Sequence, residues 1–148
     1  MGKYEGQNVA NDIIDGCTGI VDKNTAVKAV RAICRCFGGT LVYIPMMKTN
    51  GSTAEKIKAV LSGITGDRNG ELILKKIMTL YGRSQVYIPF EASAFKNEFA
   101  LEIYDRYDGH KEKIPDLVHE YNMSFNRIYK LWKLGRKLKL ERRKEHDH

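Results

Sequence analysis

Nowhere in the sequence do apolar residues run to the about 18 that a membrane span needs, so no membrane anchor is expected. The opening Met1-Gly2-Lys3-Tyr4-Glu5-Gly6 has no apolar signal core, and Gly6 stands where a myristoylation signal wants Ser or Thr. The chain therefore reads as soluble and cytoplasmic. Cysteine is scarce and odd in number. Cys17, Cys34 and Cys36 do not make a disulfide framework, and the last two sit inside an apolar helical pattern. His110, His119, His146 and His148 lack paired-ligand spacing, so no metal and no other cofactor is expected, and reduced core thiols are the better reading. Around Asp105, Asp108, His110, His119 and Glu120 no nucleophile, base and orienting group recur at a fixed spacing, and no glycine loop cradles a phosphate. These absences argue against an enzyme.

Acid is what the C-terminal stretch lacks. Arg127, Lys130, Lys133, Arg136, Lys137, Lys139, Arg142, Arg143 and Lys144 face a single acid, Glu141, in a chain of net charge +7 and pI near 9.3. A polyanion is the natural partner of charge concentrated in this way, although a basic helix can also be only a solvated face. The apolar fraction of 43% and charged fraction of 29% are globular values. At 148 residues the chain fits one ordinary domain or two very small ones, and about two thirds of its extended surface can be buried without staples.

Periodicity then places the elements. A loose polar arm over Met1 to Lys23 holds a short helix around Ala10 to Asp15. A helix capped by Asn24 carries Val27, Val30, Cys34 and Phe37 at helical spacing until Gly38-Gly39 stops it. Thr40 to Pro45 reads as a short strand. Ser52-Thr53-Ala54-Glu55 has capping-box form ahead of Ile57, Val60, Leu61 and Ile64, and Glu71 to Tyr81 makes a third helix. Ser84 to Pro89 is a second strand. Phe95, Phe99, Ile103 and Tyr107 share one side of a fourth helix closed by Asp108-Gly109.

The two strands repeat one another. Phe37 to Pro45 aligns without gaps on Tyr81 to Pro89, sharing Val-Tyr-Ile-Pro, and each follows one amphipathic helix and precedes another. Gly38, Gly39, Val42, Tyr43, Gly82, Val86 and Tyr87 are accordingly candidate ribbon or assembly residues. Two such strands in one chain can close an antiparallel ribbon internally.

After Gly109, the residues Ile114, Leu117, Val118 and Tyr121 fall at i, i+3, i+4 and i+7 of a short helix, which Asn122-Met123-Ser124 interrupts. Asn tolerates the left-handed backbone of a tight turn, Met123 can tuck under the corner, and Ser124 can cap the next helix. Ile128, Leu131 and Trp132 then face back toward the first helix, leaving Phe125, Asn126, Tyr129, Lys130 and Lys133 for a major groove. Asn126 suits an adenine edge, the lysines suit guanine or phosphate, and the aromatics suit thymine methyls. Ser124 and Arg127 flank the groove, and Arg136, Lys137 and Lys139 extend the phosphate-binding face. Each has a plainer alternative: Phe125 in the core, Tyr129 packed on Trp132, any one lysine merely solvated.

These residues resemble the Mor transcription activator family, the middle-operon regulators of Mu-like phages. The resemblance rests on Gly82 to Pro89, read as Gly-x-x-x-Val-Tyr-Ile-Pro, and on the helix ending near Tyr107-Asp108-Gly109. It continues through Ile114-Pro115-Asp116-Leu117 and Met123-Ser124-Phe125-Asn126-Arg127-Ile128-Tyr129. It implies a helical dimerisation domain whose short strand pairs antiparallel across a dimer, a C-terminal domain on promoter DNA, and RNA polymerase as a further partner, though no residue here shows polymerase activation. Two features depart from it. Family members usually carry Gly-Gly before the strand, as Gly38-Gly39 does, whereas the copy beside the helix pair has Gly82-Arg83. The duplicated first half is also additional to the family's plan.

The expectation is a mainly α chain. Residues 1–92 form a helical assembly domain with two short strands and internal repeat units at 24–66 and 70–109. Residues 93–148 form a helix-turn-helix domain with a basic C-terminal helix. The function expected is sequence-specific binding of double-stranded DNA by a phage or mobile-element transcription regulator, an activator by resemblance, acting as a homodimer or an internal pseudo-dimer. The alternative is a non-regulatory accessory factor or a protein-partner module of a mobile element.

Overall fold

The computed structural model describes residues 9–47, 51–107 and 110–146, with Lys111 and His146 described in backbone only. The elements run α1 (Val9–Gly16), α2 (Lys23–Phe37), β1 (Thr40–Ile44), α3 (Thr53–Thr65), α4 (Asp67–Tyr81), β2 (Ser84–Ile88), a single turn α5 (Glu91–Ala94), α6 (Lys96–Tyr107), a 3-10 turn (Lys111–Lys113), α7 (Ile114–Tyr121) and α8 (Phe125–His146). The chain is mainly α, with one two-stranded antiparallel sheet. It divides into two compact units, Met1–Ala94 and Phe95–His148. The unit expected over 70–109 therefore runs from one into the other. The first eight residues of the expected arm and the Asp108-Gly109 stop lie outside the described residues.

Three helix starts differ in detail from the sequence reading. The cap of α2 is Asp22, not Asn24, because Thr25 offers Asp22 both its amide, at 3.3 Å, and its hydroxyl. Those bonds to the ionised form hold the Asp22 carboxyl below its ordinary range. At α3 the Ser52 hydroxyl accepts from the Glu55 amide at 3.3 Å, and the Glu55 carboxylate accepts from the Gly51 amide, one residue ahead of the cap. Helix α4 begins at Asp67, ahead of the expected Glu71, and includes Gly70. Gly70 is a poor helix former by propensity. In the fold Gly70 is where α4 lies against α3, and a Cβ there would stand 2.8 Å from the Ser62 Oγ. Tertiary contact overrides local propensity at this point.

In the first unit, α1 to α4 enclose a core of small and branched residues, with Ala29, Val30, Leu61, Ile73 and Leu74 fully buried. Ile64, expected on the inner face of α3, is largely exposed. Strand β1 pairs antiparallel with β2 in the register Thr40↔Ile88, Leu41↔Tyr87, Val42↔Val86, Tyr43↔Gln85 and Ile44↔Ser84. Period-2 alternation buries Val42, Ile44, Val86 and Ile88 and leaves Leu41, Tyr43 and Tyr87 outside. Both strands are entered through a left-handed residue, Gly39 at φ 82° and Arg83 at φ 68°. This accounts for the departure at Gly82-Arg83: the backbone shape is kept and only its side chain differs. At Gly39 the Phe90 ring covers the backbone so closely that a Cβ would fall 2.5 Å from it, whereas Arg83 is exposed.

Glu91 fastens α5 to α2. Its carboxylate accepts from Arg31 Nε at 2.9 Å and from Arg35 Nη2 at 3.0 Å. Burial pushes the Cys34 thiol up to about 12, with the Glu91 charge adding to it, and burial also raises Cys17. Cys36, read from the sequence as a core thiol, is exposed on the other side of α2.

The second unit has its own core: Ala100, Ile103 and Tyr107 of α6, Ile114 and Leu117 of α7, and Ile128 and Leu131 of α8. Helix α8 lies mainly along α6 rather than α7. Gly135 makes that approach possible, since a Cβ there would collide with the Ala100 carbonyl and stand 2.7 Å from the Tyr104 Cβ.

Candidate nucleic-acid interface

The turn between α7 and α8 is built as its residues suggest. Asn122 takes the left-handed conformation at φ 53°, ψ 48° and closes α7 by donating its amide to the Val118 carbonyl. Met123 packs half-buried against the core of the unit, and the Ser124 hydroxyl accepts from the Arg127 amide at 3.2 Å, capping α8. Behind the turn, Arg106 of α6 pairs with Glu120 of α7, lies over the Tyr121 ring and reaches the Tyr121 hydroxyl. The hydrogen bond from Arg106 holds Glu120 below its ordinary range, and burial raises Tyr121. The orientation of α7 is thereby tied to α6 by side chains as well as by the core.

At about 100° per residue, α8 has two clearly different sides. Ile128, Leu131 and Gly135 are buried on one. Phe125, Asn126, Tyr129, Lys130, Lys133, Arg136 and Lys137 are all exposed, and their spacing gathers them on the other. Arg127 is exposed toward one flank, and Ser124 sits at the N-terminal end, where free amides and the helix dipole favour an anion. The nine candidate side chains thus lie on one helix and its cap.

The exposed side is partly organised before any ligand arrives. Phe125 and Tyr129 stack with centroids 6.4 Å apart and planes 8° apart, and Tyr129 stacks on Trp132 at 5.9 Å and 17°. The Lys133 ammonium sits 5.0 Å over the Tyr129 ring, and the Arg136 guanidinium 6.0 Å over Trp132. Phe125 is not a core residue: it is 53% exposed. Tyr129 does pack on Trp132 yet remains 40% exposed, so contact with Trp132 and availability to a ligand coexist.

One sequence reading needs correction. Trp132, expected to face α7, is half-buried with its ring against Tyr104 and Tyr107 of α6, at 5.8 and 5.3 Å, and forms the end of the exposed stack. Lys139, expected on phosphate, pairs with Asp105 of α6 at 3.1 Å in the free protein. A shallow groove along this side runs from Tyr129 and Trp132 past Lys133, Arg136 and Lys137 to Leu140, Glu141 and Lys144, and Leu140 is the apolar member that the sequence reading leaves out. The available signal is that Leu140 falls four residues after Arg136, on the same side of the helix.

Three of the candidate catalytic residues face charged partners. Asp105 holds Lys139, Glu120 holds Arg106, and His110 faces Glu112 at 3.3 Å. Asp108 lies outside the described residues, as do the side chains of His146 and His148. Among the described residues no group of three or more His, Cys, Asp or Glu could hold a metal ion, and no helix is long and apolar enough to cross a membrane.

This helix pair, with one buried and one basic aromatic side, falls within a segment that a known family describes. The sequence profile of the Mor transcription activator family matches residues 49–146. The chain belongs to the Mor transcription activator family, a family of DNA-binding transcription regulators. No curated protein and no solved structure is significantly similar to it.

Proposed function

We propose that α7, the Asn122 turn and α8 form a helix-turn-helix that binds double-stranded DNA sequence-specifically, with the exposed side of α8 in the major groove. The observation that carries this is the division of α8 itself, with Ile128, Leu131 and Gly135 locked inward while Asn126, Tyr129, Lys130 and Lys133 share the open side. A major groove about 12 Å wide accepts one α-helix, and its base edges suit these groups: Asn126 for adenine, Lys130 and Lys133 for guanine or phosphate, Phe125 and Tyr129 for thymine methyls. Ser124, Arg127, Arg136 and Lys137 meet the flanking phosphates. Acting at a promoter, such a protein is a cytoplasmic transcription regulator of the kind phages and mobile elements carry. Family membership supports the activating sense and RNA polymerase as the second partner.

Selection of bound duplexes from a random pool, followed by a salt titration on the selected site, tests the reading. About six phosphate contacts cost on the order of a thousandfold in affinity between low and moderate salt. Recovery of a defined motif with that steep dependence is the expected result. No enriched motif and a flat salt response would overturn it and favour a protein partner.

A further inference from the structure

The first unit is built twice over. Each element of its first half begins 44 residues before a counterpart in the second: Val9 before Thr53, Lys23 before Asp67, Thr40 before Ser84. Helices α2 and α4 are 15 residues each, and β1 and β2 are 5 each. Burial follows the same displacement. Ala10, Ile13 and Cys17 correspond to Ala54, Ile57 and Leu61; Ala29, Val30 and Ile33 to Ile73, Leu74 and Ile77; Val42 and Ile44 to Val86 and Ile88.

The contacts between the halves are reciprocal. Helix α1 lies on β2 as α3 lies on β1. The Gly39 amide donates to the Ile88 carbonyl and the Arg83 amide to the Ile44 carbonyl, each at 2.7 Å. Phe90 lies against Gly38 as well as Gly39, and Met46, its counterpart, lies against Gly82, the counterpart of Gly38. Two helix–helix–strand motifs converging by chance need not exchange contacts in this way. Reciprocity is what an isologous twofold interface produces, each half giving the other what it receives. The local axis passes between Val42 and Val86, which pair with one another and are also counterparts.

We propose that residues 9–44 are a built-in partner for residues 53–88, so that one chain is a pseudo-dimer and brings a single reading helix to DNA as a monomer. The pairing edge of β2 is satisfied by β1 of the same chain, so no second molecule is needed to complete the ribbon. Only the second half leads onward to a helix pair, since β1 is followed by α3 of the other half. The matched family segment begins at residue 49 and leaves the first half outside it. The DNA site is then one half-site without an inverted repeat. This last part rests on the DNA reading above; the pseudo-dimer itself does not.

The test separates the two. Sedimentation equilibrium of the full chain without DNA, at about ten micromolar, gives 16.9 kDa if the proposal holds. A full-chain C36S variant carrying L41C and Y87C, at two exposed positions that face each other in the register, is then oxidised. It should close within one chain, losing both new thiols while keeping monomer mobility on a denaturing gel. Native mass spectrometry of the wild type on a selected duplex should count one chain per site. A mass of twice 16.9 kDa, a cross-linked dimer band, or two chains on an inverted repeat would each overturn the proposal, including dimerisation through the exposed Leu41, Tyr43 and Tyr87 face. A monomer that cross-links internally but binds no duplex would overturn only the DNA reading.

Discussion

Gly135 of α8 crosses the Ala100 carbonyl of α6 with no room between them for a side chain. In an unencumbered helix, replacing Gly by Ala stabilises by about 0.8 to 1 kcal/mol. Here the added Cβ meets backbone, which cannot swing aside, and overpacking of this kind costs about 1 to 3 kcal/mol. Gly135→Ala is therefore expected to destabilise the second unit. Urea unfolding followed by Trp132 fluorescence checks the sign.

Ile128 is fully buried between α7 and α6 in the same core. Ile128→Ala should cost about 2 to 5 kcal/mol through lost transfer energy and the cavity left behind. Equilibrium denaturation measures it, and a loss under 1 kcal/mol would mean that α8 is not docked as described.

On the open side of α8 the substitutions should divide by target. Asn126→Ala should relax preference at one base position at a cost of about 1 to 3 kcal/mol on the selected site. Lys137→Ala should weaken all sequences alike and lower the salt slope by about one. Lys137 is a better probe than Lys139, whose ammonium is held by Asp105. Binding to mutated and scrambled duplexes at several salt concentrations distinguishes the two outcomes.

The stacked Phe125 and Tyr129 pair gives a third kind of readout. Where these rings meet a thymine, replacing that base by deoxyuridine removes one methyl, worth about 0.8 kcal/mol or about fourfold in affinity. Tyr129→Ala should lose most of that discrimination. Fluorescence anisotropy on paired thymine and deoxyuridine duplexes measures the ratio, and equal affinities at every position of the site would exclude aromatic contact with the methyls.

The cysteines predict a pH dependence. Burial raises the Cys34 thiol to about 12 in the fold, while in the unfolded chain it titrates near 9.0. Below pH 9 both states carry the proton and stability is unaffected. Between about 9 and 12 the unfolded state loses it first, so stability falls as pH rises. Denaturant unfolding at pH 8 and pH 10.5 should show the fall, and C34S should reduce it. With a thiol reagent at pH 8, Cys36 should react quickly and Cys17 and Cys34 only on unfolding.

Most elements were legible because their apolar residues recur at 3.6 or at 2, and the ribbon was legible because Val-Tyr-Ile-Pro occurs twice. The frame of the repeat was not. Read from the strands, the units are expected at 24–66 and 70–109, whereas the elements that begin 44 residues apart span 9–44 and 53–88. Ala29 stands where the second half has Ile73, and Cys17 where it has Leu61. Burial is kept while side-chain size changes, and small residues give little periodic signal. In the candidate interface the turn and the exposed side of α8 followed from local chemistry. The inward packing of Trp132 on Tyr104 and Tyr107, the Lys139–Asp105 pair and the Gly135 crossing all depend on α6, which no motif connects to α8 in sequence.

Helix α8 runs 22 residues without a break, about 33 Å at 1.5 Å per residue. Duplex DNA curves away from a straight rod: a rigid helix whose first two turns lie in a groove about 12 Å wide leaves it before its own end. With α8 docked as proposed, Arg143 and Lys144 are expected to ride above the backbone, several base pairs from the base proposed for Asn126. Protection from backbone cleavage should outreach the selected motif on one side only, and trimming the flank on that side should weaken binding while the preferred sequence stays the same.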